Sequence, residues 1–362
     1  MDDLGLYKGK RVLVTGHTGF KGSRLAMWLH ELGAEVTGYS LGPPSDPNLF
    51  DILGLKRKVH DIRGDVRSLE KLRGVFKNCR PELVFHLAAQ PLVRSSYDDP
   101  HWTYEVNVMG TVNVLEAVRS TPGIRGCLVI TSDKCYENRE QRRAYRETDA
   151  LGGYDPYSSS KGCQELVTAA YRQSFFNPAG YGKRHHVLLA SARAGNIIGG
   201  GDWGKDRLIP DCARSLSKGK SILIRSPGAI RPWQFVLEPL HGYLLLGLRM
   251  LKRDPECSGP WNFGPHGMRL LPVKEIVELA IKCWGRGEYV VEKGEQPHEA
   301  KLLQLDSSKA RRYLGWKALY NNRSAVKKTI QWYRSYYEGS DMYELTLKET
   351  EIYMSDLERK SR

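Results

Sequence analysis

The chain of 362 residues carries 55 Lys and Arg against 41 Asp and Glu, a formal net charge of +14, and 41% of its residues are apolar. This length is sufficient to bury a large core and predicts two lobes. No apolar run reaches the roughly 20 residues that a transmembrane helix needs, so we expect no membrane contact.

The positive charge is dispersed along the chain. Its densest groups, residues 56–58 and 142–143, are short and lack interleaved aromatic residues, which favours solvated surface and anionic small ligands over nucleic acid. The seven cysteines are scattered without a Cys-x-x-Cys pair, and the chain starts without a basic-then-apolar signal segment. We therefore expect no disulfide framework, no metal site and a cytoplasmic location.

Short apolar runs alternate with amphipathic stretches over the first 195 residues. The first predicted strand, residues 12–14, precedes a helix whose apolar residues between 25 and 32 share one face. Further strands are predicted at residues 36–39, 59–62, 83–87, 128–131 and 187–190, with long helices at 102–119 and 157–176. Nearly continuous apolar strands that alternate with helices predict a doubly wound parallel α/β sheet.

The pattern loosens after about residue 196, where Gly199-Gly200-Gly201 forms a flexible junction and helices are predicted at 239–250 and 273–284. We predict a dinucleotide-binding domain over residues 1–195 and a smaller substrate lobe over 196–340, with some segments crossing back. Residues 341–362 are predicted to form a charged C-terminal helix with few core residues.

A glycine-rich segment joins the first strand to the first helix. It reads Gly16-His17-Thr18-Gly19-Phe20-Lys21-Gly22. Glycines allow a tight turn and a close approach to a pyrophosphate, whose charge the helix N-terminus favours. Because a strand precedes this segment and a helix follows it, it predicts dinucleotide binding rather than a plain glycine-rich turn.

The second strand ends without the Asp or Glu that usually binds the adenosine ribose of NAD. Ser40 can bond a ribose hydroxyl but does not repel a 2′-phosphate, and Lys21 can attract one, so the residues alone leave NAD and NADP open. Asp65 can accept a hydrogen bond from the adenine amino group, or it can cap a helix that starts at Val66.

Two segments point to proton chemistry. Tyr157 and Lys161 are spaced i, i+4, so they share one helical face, and the ammonium is expected to lower the pKa of the phenol from about 10. Such a tyrosine can remove a proton from an alcohol. Ser132 can hold the same oxygen, and Asp133 adds a second acid that simple alcohol oxidation does not need, which indicates a reaction of several steps.

These features, with His86-Leu87-Ala88-Ala89 and Asn107, resemble the extended short-chain dehydrogenase/reductase family. More specific runs resemble its nucleotide-sugar 4,6-dehydratases, in particular those that act on CDP-glucose. The runs are residues 16–23, 131–138, 153–162, 191–196, 201–203, 206–210 and 230–234.

The resemblance implies a set of ligand contacts. NAD would contact Gly16, Gly19, Phe20, Gly22, Ser40, Asp65, Val66, Leu87, Ala88, Ala89, Tyr157 and Lys161. The sugar nucleotide would contact Gln90, Asn196, Arg207 and Arg231, although surface ion pairs are the alternative for the two arginines. The helices at 102–119 and 157–176 resemble those that the family pairs across a two-fold axis, which implies a homodimer.

The implied reaction converts CDP-glucose to CDP-4-keto-6-deoxyglucose and water. Tyr157 takes the hydroxyl proton at sugar carbon 4, Ser132 orients that oxygen, and protonated Asp133 donates to the hydroxyl that leaves carbon 6. Lys134 stands where related dehydratases generally place a glutamate as the carbon 5 base, and it can serve only when neutral. Alternatively, Lys134 binds the keto-sugar or is a surface lysine at the end of a strand.

Other functions share these residues. The same fold serves UDP-, dTDP- and GDP-hexose dehydratases, epimerases and reductases, although Asp133 and Lys134 favour an elimination. A non-catalytic dinucleotide-binding sensor is disfavoured because Ser132, Tyr157 and Lys161 occur together.

Overall fold

A parallel sheet of seven strands forms the centre of the protein. The computed structural model describes residues 4–141, 143–265, 270–292 and 303–361. The strands in chain order are β1 (Arg11–Thr15), β2 (Glu35–Ser40), β3 (His60–Arg63), β4 (Leu83–His86), β5 (Gly126–Ile130), β6 (Leu188–Arg193), β7 (Ile197–Ile198), β8 (Ile222–Ile224), β9 (Gln234–Phe235), β10 (Gly259–Asn262) and β11 (Tyr289–Val291).

The main sheet has the order β10-β6-β5-β4-β1-β2-β3, and every neighbouring pair in it is parallel. The predicted parallel α/β sheet is confirmed. The chain runs outward from β1 to β3 and then returns to the other side of β1 with β4. The order therefore reverses between the carboxyl ends of β1 and β4, the place where open α/β sheets bind ligands.

Helices cover both faces of this sheet. They are α1 (Phe20–Glu31), α2 (Leu49–Ile52), α3 (Leu69–Cys79), α4 (Val93–Asp98), α5 (Pro100–Tyr104), α6 (Gly110–Ser120), α7 (Pro156–Ser174), α8 (Leu208–Ser217), α9 (Leu237–Leu251), α10 (Val273–Trp284), α11 (Ser308–Leu314), α12 (Asn322–Tyr337) and α13 (Met342–Ser361). The helix predicted at 102–119 is interrupted by a π-helical turn, Glu105–Met109, between α5 and α6. Among the described helices, none is long and apolar enough to cross a bilayer.

Alternate residues of the strands face two separate cores. Val12 and Val14 pack on the side that α1, α9 and the C-terminal helices cover, whereas Leu13 packs under α3 and α6. This alternation follows from the two-residue repeat of a strand, and it explains why the central strands are apolar throughout. Both faces of β4, β5 and β6 are fully buried.

The region after residue 196 supplies both small sheets and one strand of the large sheet. β7 pairs with β9, and β8 pairs with β11. β10 returns to the main sheet and pairs with β6. The placement of a domain boundary at residue 195 stays a prediction.

The C-terminal helix α13 packs against the rest of the protein along one face. Met342, Thr346, Thr350 and Tyr353 lie on one face and are buried. The Tyr353 hydroxyl donates to Glu238 Oε2 at 3.1 Å. These four residues, two of them threonines, are the buried residues among the described side chains of this charged helix, as the expectation of few core residues requires.

An ion pair joins this helix to α1. Arg24 Nη1 lies 2.5 Å from Glu349 Oε2, and the two side chains are only 1% and 9% exposed. Arg24 Nη2 also donates to the carbonyl of Gly200 at 2.7 Å, and its guanidinium lies 5.8 Å from the centre of the Trp332 ring. The pair thus connects the helix after the glycine-rich segment to the C-terminus.

We expect Glu349→Ala to lower the free energy of unfolding by about 3–5 kcal/mol, because it leaves the buried Arg24 charge without its carboxylate. Urea unfolding would measure the loss. Glu351→Ala is the matched control, since Glu351 lies on the same helix and is exposed. Equal losses in the two variants would contradict this account of the pair.

Candidate active site

The glycine-rich segment closes tightly against the residues that follow β4. Gly16 has a φ of +75°, and a Cβ there would lie 2.7 Å from the nitrogen of Ala88. A Cβ on Gly22 would lie 2.0 Å from the carbonyl oxygen of Gly16. Both positions therefore require glycine if the backbone is to turn this sharply between β1 and α1.

The N-terminus of α1 leaves room for an anion. Gly19 is its N-cap residue and provides no side-chain hydrogen bond, so the first-turn amides are not capped by it. Backbone amides at a helix N-terminus suit a pyrophosphate, and the glycines at positions 16 and 22 leave no side chain in its way. The residues present therefore fit a dinucleotide, which Leu87 and Ala88 after β4 and the buried Val66 would flank.

The end of β2 is occupied by contacts within the protein. Ser40 Oγ lies 2.5 Å from Thr18 Oγ1 and donates to the carbonyl of Leu41 at 2.9 Å, so it ties β2 to the glycine-rich segment. The nearest acid in the sheet register is Asp61 on β3, which pairs with Gly38. Asp61 Oδ1 lies 2.8 Å from His17 Nε2. Sequence reasoning missed Asp61 because it belongs to the third strand.

Asp65 does not cap a helix that starts at Val66. The helix α3 begins at Leu69, and the Ser68 side chain is its N-cap. The Asp65 carboxylate instead accepts hydrogen bonds from the backbone nitrogen of Arg67 at 2.9 Å and from its guanidinium at 2.8 Å. The capping alternative was therefore wrong, and the adenine contact stays a prediction.

Tyr157 and Lys161 lie on the first turns of α7. Asp155 caps this helix by accepting from the backbone nitrogen of Ser158 at 2.9 Å, and Pro156 occupies the first helical position. Lys161 Nζ lies 6.0 Å from the centre of the Tyr157 ring, as the spacing predicts for one helical face. Lys161 Nζ donates to Gln164 Oε1 at 2.9 Å.

The segment after β5 faces this pair. The Ser132 side chain lies beside the Tyr157 hydroxyl, where hydrogen bonding to it lowers the pKa of Tyr157. Ser132 Oγ also donates to Asp133 Oδ1 at 3.0 Å and accepts from the backbone nitrogen of Lys134 at 3.2 Å. Asp133 is 3% exposed, and its carboxylate lies against Gly195, where a Cβ would come within 1.9 Å of Oδ2. The phenol, the hydroxyl and the carboxyl that the sequence singled out are therefore brought together.

Burial sets the protonation of these groups. It raises the pKa of Tyr157 to about 12, against the opposing effects of the Ser132 hydrogen bond and the Arg207 charge. Burial, with the nearby charge of Lys21, lowers the pKa of Lys161 to about 7. The expectation that Lys161 lowers the pKa of Tyr157 is wrong for the protein alone, because desolvation disfavours both charged forms and Lys161 donates to Gln164.

Lys21 is a cation of this site that the sequence placed elsewhere. It follows Phe20 in the first turn of α1, and burial lowers its pKa to about 8. The charge of Arg207 contributes to this lowering, while Asp133 and Asp202 oppose it. Lys21 is therefore coupled electrostatically to Asp133 and Arg207, and its effect on a 2′-phosphate stays a prediction.

Three of the residues expected to bind the sugar nucleotide lie in the region that follows β6. Arg207 Nη1 pairs with Asp202 Oδ2 at 2.7 Å, so the ion-pair alternative holds for it in the protein alone. Arg231 precedes β9, and Asn196 precedes β7 with a φ of +49°. Arg94 and Arg225 both pair with Asp206 beside Arg207, and the sequence did not single them out.

Gln90 supports the site instead of facing the hexose. Its side chain is 1% exposed, donates to Thr103 Oγ1 at 2.9 Å and accepts from the backbone nitrogen of Leu92 at 2.5 Å. Asn107, in the π-helical turn, accepts from the Gln90 backbone nitrogen at 2.8 Å and donates to Ser160 Oγ at 2.8 Å. The structure thus assigns Gln90 to the loop after β4, where these bonds hold it.

His86, at the end of β4, is a neutral support. Burial lowers its pKa to about 3. Its Nδ1 lies 2.7 Å from Thr15 Oγ1 and its Nε2 lies 3.0 Å from Thr111 Oγ1. The ring therefore links β1 to α6 directly beneath the cleft.

The lowered pKa of Lys161 predicts a pH-dependent stability. A lysine whose folded pKa lies below its unfolded value destabilises the fold fully below about pH 7, and this cost fades as the pH rises toward the unfolded value of 10.5. We expect Lys161→Met to raise the free energy of unfolding, relative to the wild type, by about 2 kcal/mol more at about pH 6 than at about pH 9. Urea unfolding of the two proteins would measure it.

The control is Lys71→Met, which replaces an exposed lysine on α3. It should change the free energy of unfolding equally at both pH values. A pH-independent effect of Lys161→Met would contradict the buried position of this ammonium.

Known proteins resemble the whole chain. The profile of the GDP-mannose 4,6 dehydratase family matches residues 13–238. A CDP-glucose 4,6-dehydratase of Salmonella typhimurium is 49% identical over 356 residues, which cover 98% of this chain and 99% of that protein. The epimerase Mth375 of Methanothermobacter thermautotrophicus shares the fold, with a TM-score of 0.78 at 24% identity over 93% of this chain and 96% of that one.

A second solved structure is MoeE5 in complex with UDP-glucose and NAD. It has a TM-score of 0.74 at 25% identity and covers 90% of this chain and 99% of its own. These matches confirm the resemblance predicted from the sequence motifs. The chain belongs to the GDP-mannose 4,6 dehydratase family.

Proposed function

We propose that this chain converts CDP-glucose to CDP-4-keto-6-deoxyglucose and water. The observation that carries the proposal is the contact chain from the Tyr157 hydroxyl through Ser132 to the buried carboxyl of Asp133. A base for an alcohol and an acid for a leaving hydroxyl are thereby held in one site. An epimerase or a simple reductase expels no water and has no need of that acid.

The cofactor is NAD, and the loop of Gly16, Gly19, Phe20 and Gly22 would hold its pyrophosphate. NAD supplies a hydride acceptor for sugar carbon 4 and returns the hydride to carbon 6, so it is regenerated in each turnover. The pairing of NAD with a sugar nucleotide in MoeE5, over 90% of this chain, supports the choice.

Tyr157 and Ser132 bind the hydroxyl oxygen at carbon 4. Tyr157 takes the proton of that hydroxyl as the carbonyl forms. Its pKa of about 12 means that the phenolate needs positive charge nearby. Arg207 supplies such a charge and lowers the pKa of Tyr157. Lys161, on the same helix as Tyr157, adds to it only in its protonated form.

Elimination follows from the new ketone. The carbonyl at carbon 4 acidifies the proton on carbon 5, which Lys134 removes. The bond between carbon 6 and its hydroxyl breaks as Asp133 donates a proton to the departing oxygen, and a double bond forms between carbons 5 and 6. The hydride returns to carbon 6, and Lys134 gives the proton it took back to carbon 5. The proton that Tyr157 accepted restores Asp133 to its acid form, so each group returns to its starting state.

The diphosphate of the substrate would meet arginines at the mouth of the cleft. Arg207 and Arg231 carry forked guanidinium groups that match phosphate oxygens, and Asn196 lies in the chain between β6 and β7. Arg207 would exchange its present partner, Asp202, for the substrate. The choice of cytosine rests on the 49% identity to the Salmonella typhimurium enzyme.

Two further properties are part of this proposal. A homodimer would cover apolar side chains of the π-helical turn and α7 that are now exposed, namely Met109 at 50% and Leu166 at 59%. A purely monomeric protein in light scattering at micromolar concentration would contradict the dimer. A cytoplasmic location agrees with seven cysteines that are all free thiols.

The direct test is a panel of CDP-, UDP-, dTDP- and GDP-glucose, with the 4-keto-6-deoxy product identified by mass spectrometry. We expect rapid conversion of CDP-glucose and much slower conversion of the other three. Preference for another nucleotide would overturn the substrate, and a product that retains the carbon 6 hydroxyl would overturn the dehydratase reaction.

Lys134→Ala separates elimination from oxidation. We expect this variant to oxidise carbon 4 but to stall before water leaves, since the base for carbon 5 is gone. Stopped-flow absorbance should then show reduced nicotinamide that accumulates and persists, with product formation slowed on the order of 100-fold or more. Full turnover in Lys134→Ala would end the assignment of Lys134 as the base.

A further inference from the structure

A buried ion pair joins the end of β6 to α7, the helix that carries Tyr157 and Lys161. Arg193 lies at the end of β6, and Glu165 lies on α7 one turn after Lys161. Arg193 Nη2 is 2.8 Å from Glu165 Oε2, and each side chain is only 3% exposed. Neither residue has a part in the reaction steps described above.

Glu165 fixes Thr131, the first residue of the segment after β5. Its Oε1 accepts from Thr131 Oγ1 at 2.5 Å. Its Oε2 accepts from Ser191 Oγ at 2.7 Å in addition to Arg193. Thr131 directly precedes Ser132, so the carboxylate fixes the backbone at the start of the reactive segment.

Arg193 fixes Tyr136, at the other end of the same segment. Its Nη1 donates to the Tyr136 hydroxyl at 2.6 Å, and its guanidinium carbon lies 4.8 Å from the centre of the Tyr136 ring. The Tyr136 hydroxyl in turn donates to Asn262 Oδ1 on β10 at 2.8 Å. Tyr136 is 1% exposed and follows Lys134 by two residues.

We propose that Thr131, Tyr136, Glu165 and Arg193 form a loop clamp that positions Asp133 and Lys134 against Tyr157 for the elimination step. The loop clamp rests on the proposed function and names positioning residues for it. The clamp grips the reactive segment on both sides, and Glu165 belongs to the helix that carries Tyr157. One ion pair therefore fixes the position of the segment after β5 relative to α7.

The chain that continues from Arg193 also packs against the carboxylate of Asp133. Two residues further along, the backbone of Gly195 lies against the Asp133 carboxylate so closely that no Cβ would fit. A shift of Arg193 would therefore move the backbone of Gly195 as well as Tyr136. Displacements of about 1 Å at a reacting group can cost on the order of 100-fold in rate.

The clamp should affect one half of the reaction more than the other. Tyr157 and Lys161 are fixed by α7 itself, whereas Asp133 and Lys134 depend on the segment between Thr131 and Tyr136. Loosening the clamp should leave oxidation at carbon 4 largely intact and slow the loss of water. Reduced nicotinamide would then accumulate during turnover.

Tyr136→Phe tests the clamp with little risk to folding, because the ring beneath Arg193 remains and only the hydroxyl is lost. Tyr145→Phe is the matched control. Its ring stacks on Tyr136 at 5.1 Å and is also buried, but its hydroxyl bonds to the backbone nitrogen of Arg139 and to Asn138, outside the clamp.

With CDP-glucose and NAD, we expect Tyr136→Phe to lower kcat on the order of tenfold, with KM changed less than about twofold and with a transient of reduced nicotinamide. Tyr145→Phe should behave as the wild type. Wild-type turnover in Tyr136→Phe, or a loss without accumulated reduced nicotinamide, would overturn the loop clamp.

Hydrogen–deuterium exchange gives a readout that needs no substrate. The amides of residues 134–136 should exchange faster in Tyr136→Phe than in the wild type and in Tyr145→Phe. Unchanged exchange at these amides would overturn the clamp even if the variant lost activity. A wild-type protein that leaves CDP-glucose unchanged would instead refute the proposed function, and exchange would still decide the clamp.

Discussion

Exclusion of water from a few ionisable side chains is the constraint on which this site depends. Tyr157, Lys161 and Asp133 are each less than 10% exposed, at the carboxyl ends of the central strands. Burial pushes the tyrosine and the lysine toward their neutral forms, so charge can form only where a neighbour compensates it. That dependence makes the geometry of neighbouring charges, rather than the strength of any one contact, decisive for the chemistry.

The parallel sheet supplies this geometry by bringing strand ends together. The glycine-rich segment follows β1, the loop of Gln90 follows β4, and Ser132 and Asp133 follow β5. β6 then delivers Arg193 and the close-packed Gly195. Four loops distant in sequence thus meet at one edge, and buried links such as that between Asn107 and Ser160 fix them to α7.

Periodicity and local spacing were sufficient to predict the sheet and the pairing of Tyr157 with Lys161, because both depend on short-range geometry. The pKa of Tyr157 was mispredicted because spacing gives the distance between two groups but not their burial. Gln90 was misassigned for a similar reason: its motif position predicts where the backbone lies, whereas its bonds to Thr103 and Leu92 come from tertiary packing. The ion pair of Glu165 with Arg193 depends on which strands are neighbours, and no sequence pattern showed it.

The central claim is that the Tyr157 phenol accepts the proton from carbon 4 while Ser132 holds the same oxygen. Stopped-flow absorbance of reduced nicotinamide, after mixing Tyr157→Phe and NAD with CDP-glucose, tests it most directly. The account predicts that the signal seen in the wild-type protein or in its slowed variants is absent, although the sugar nucleotide still binds. A burst of reduced nicotinamide at the wild-type rate in Tyr157→Phe would contradict it.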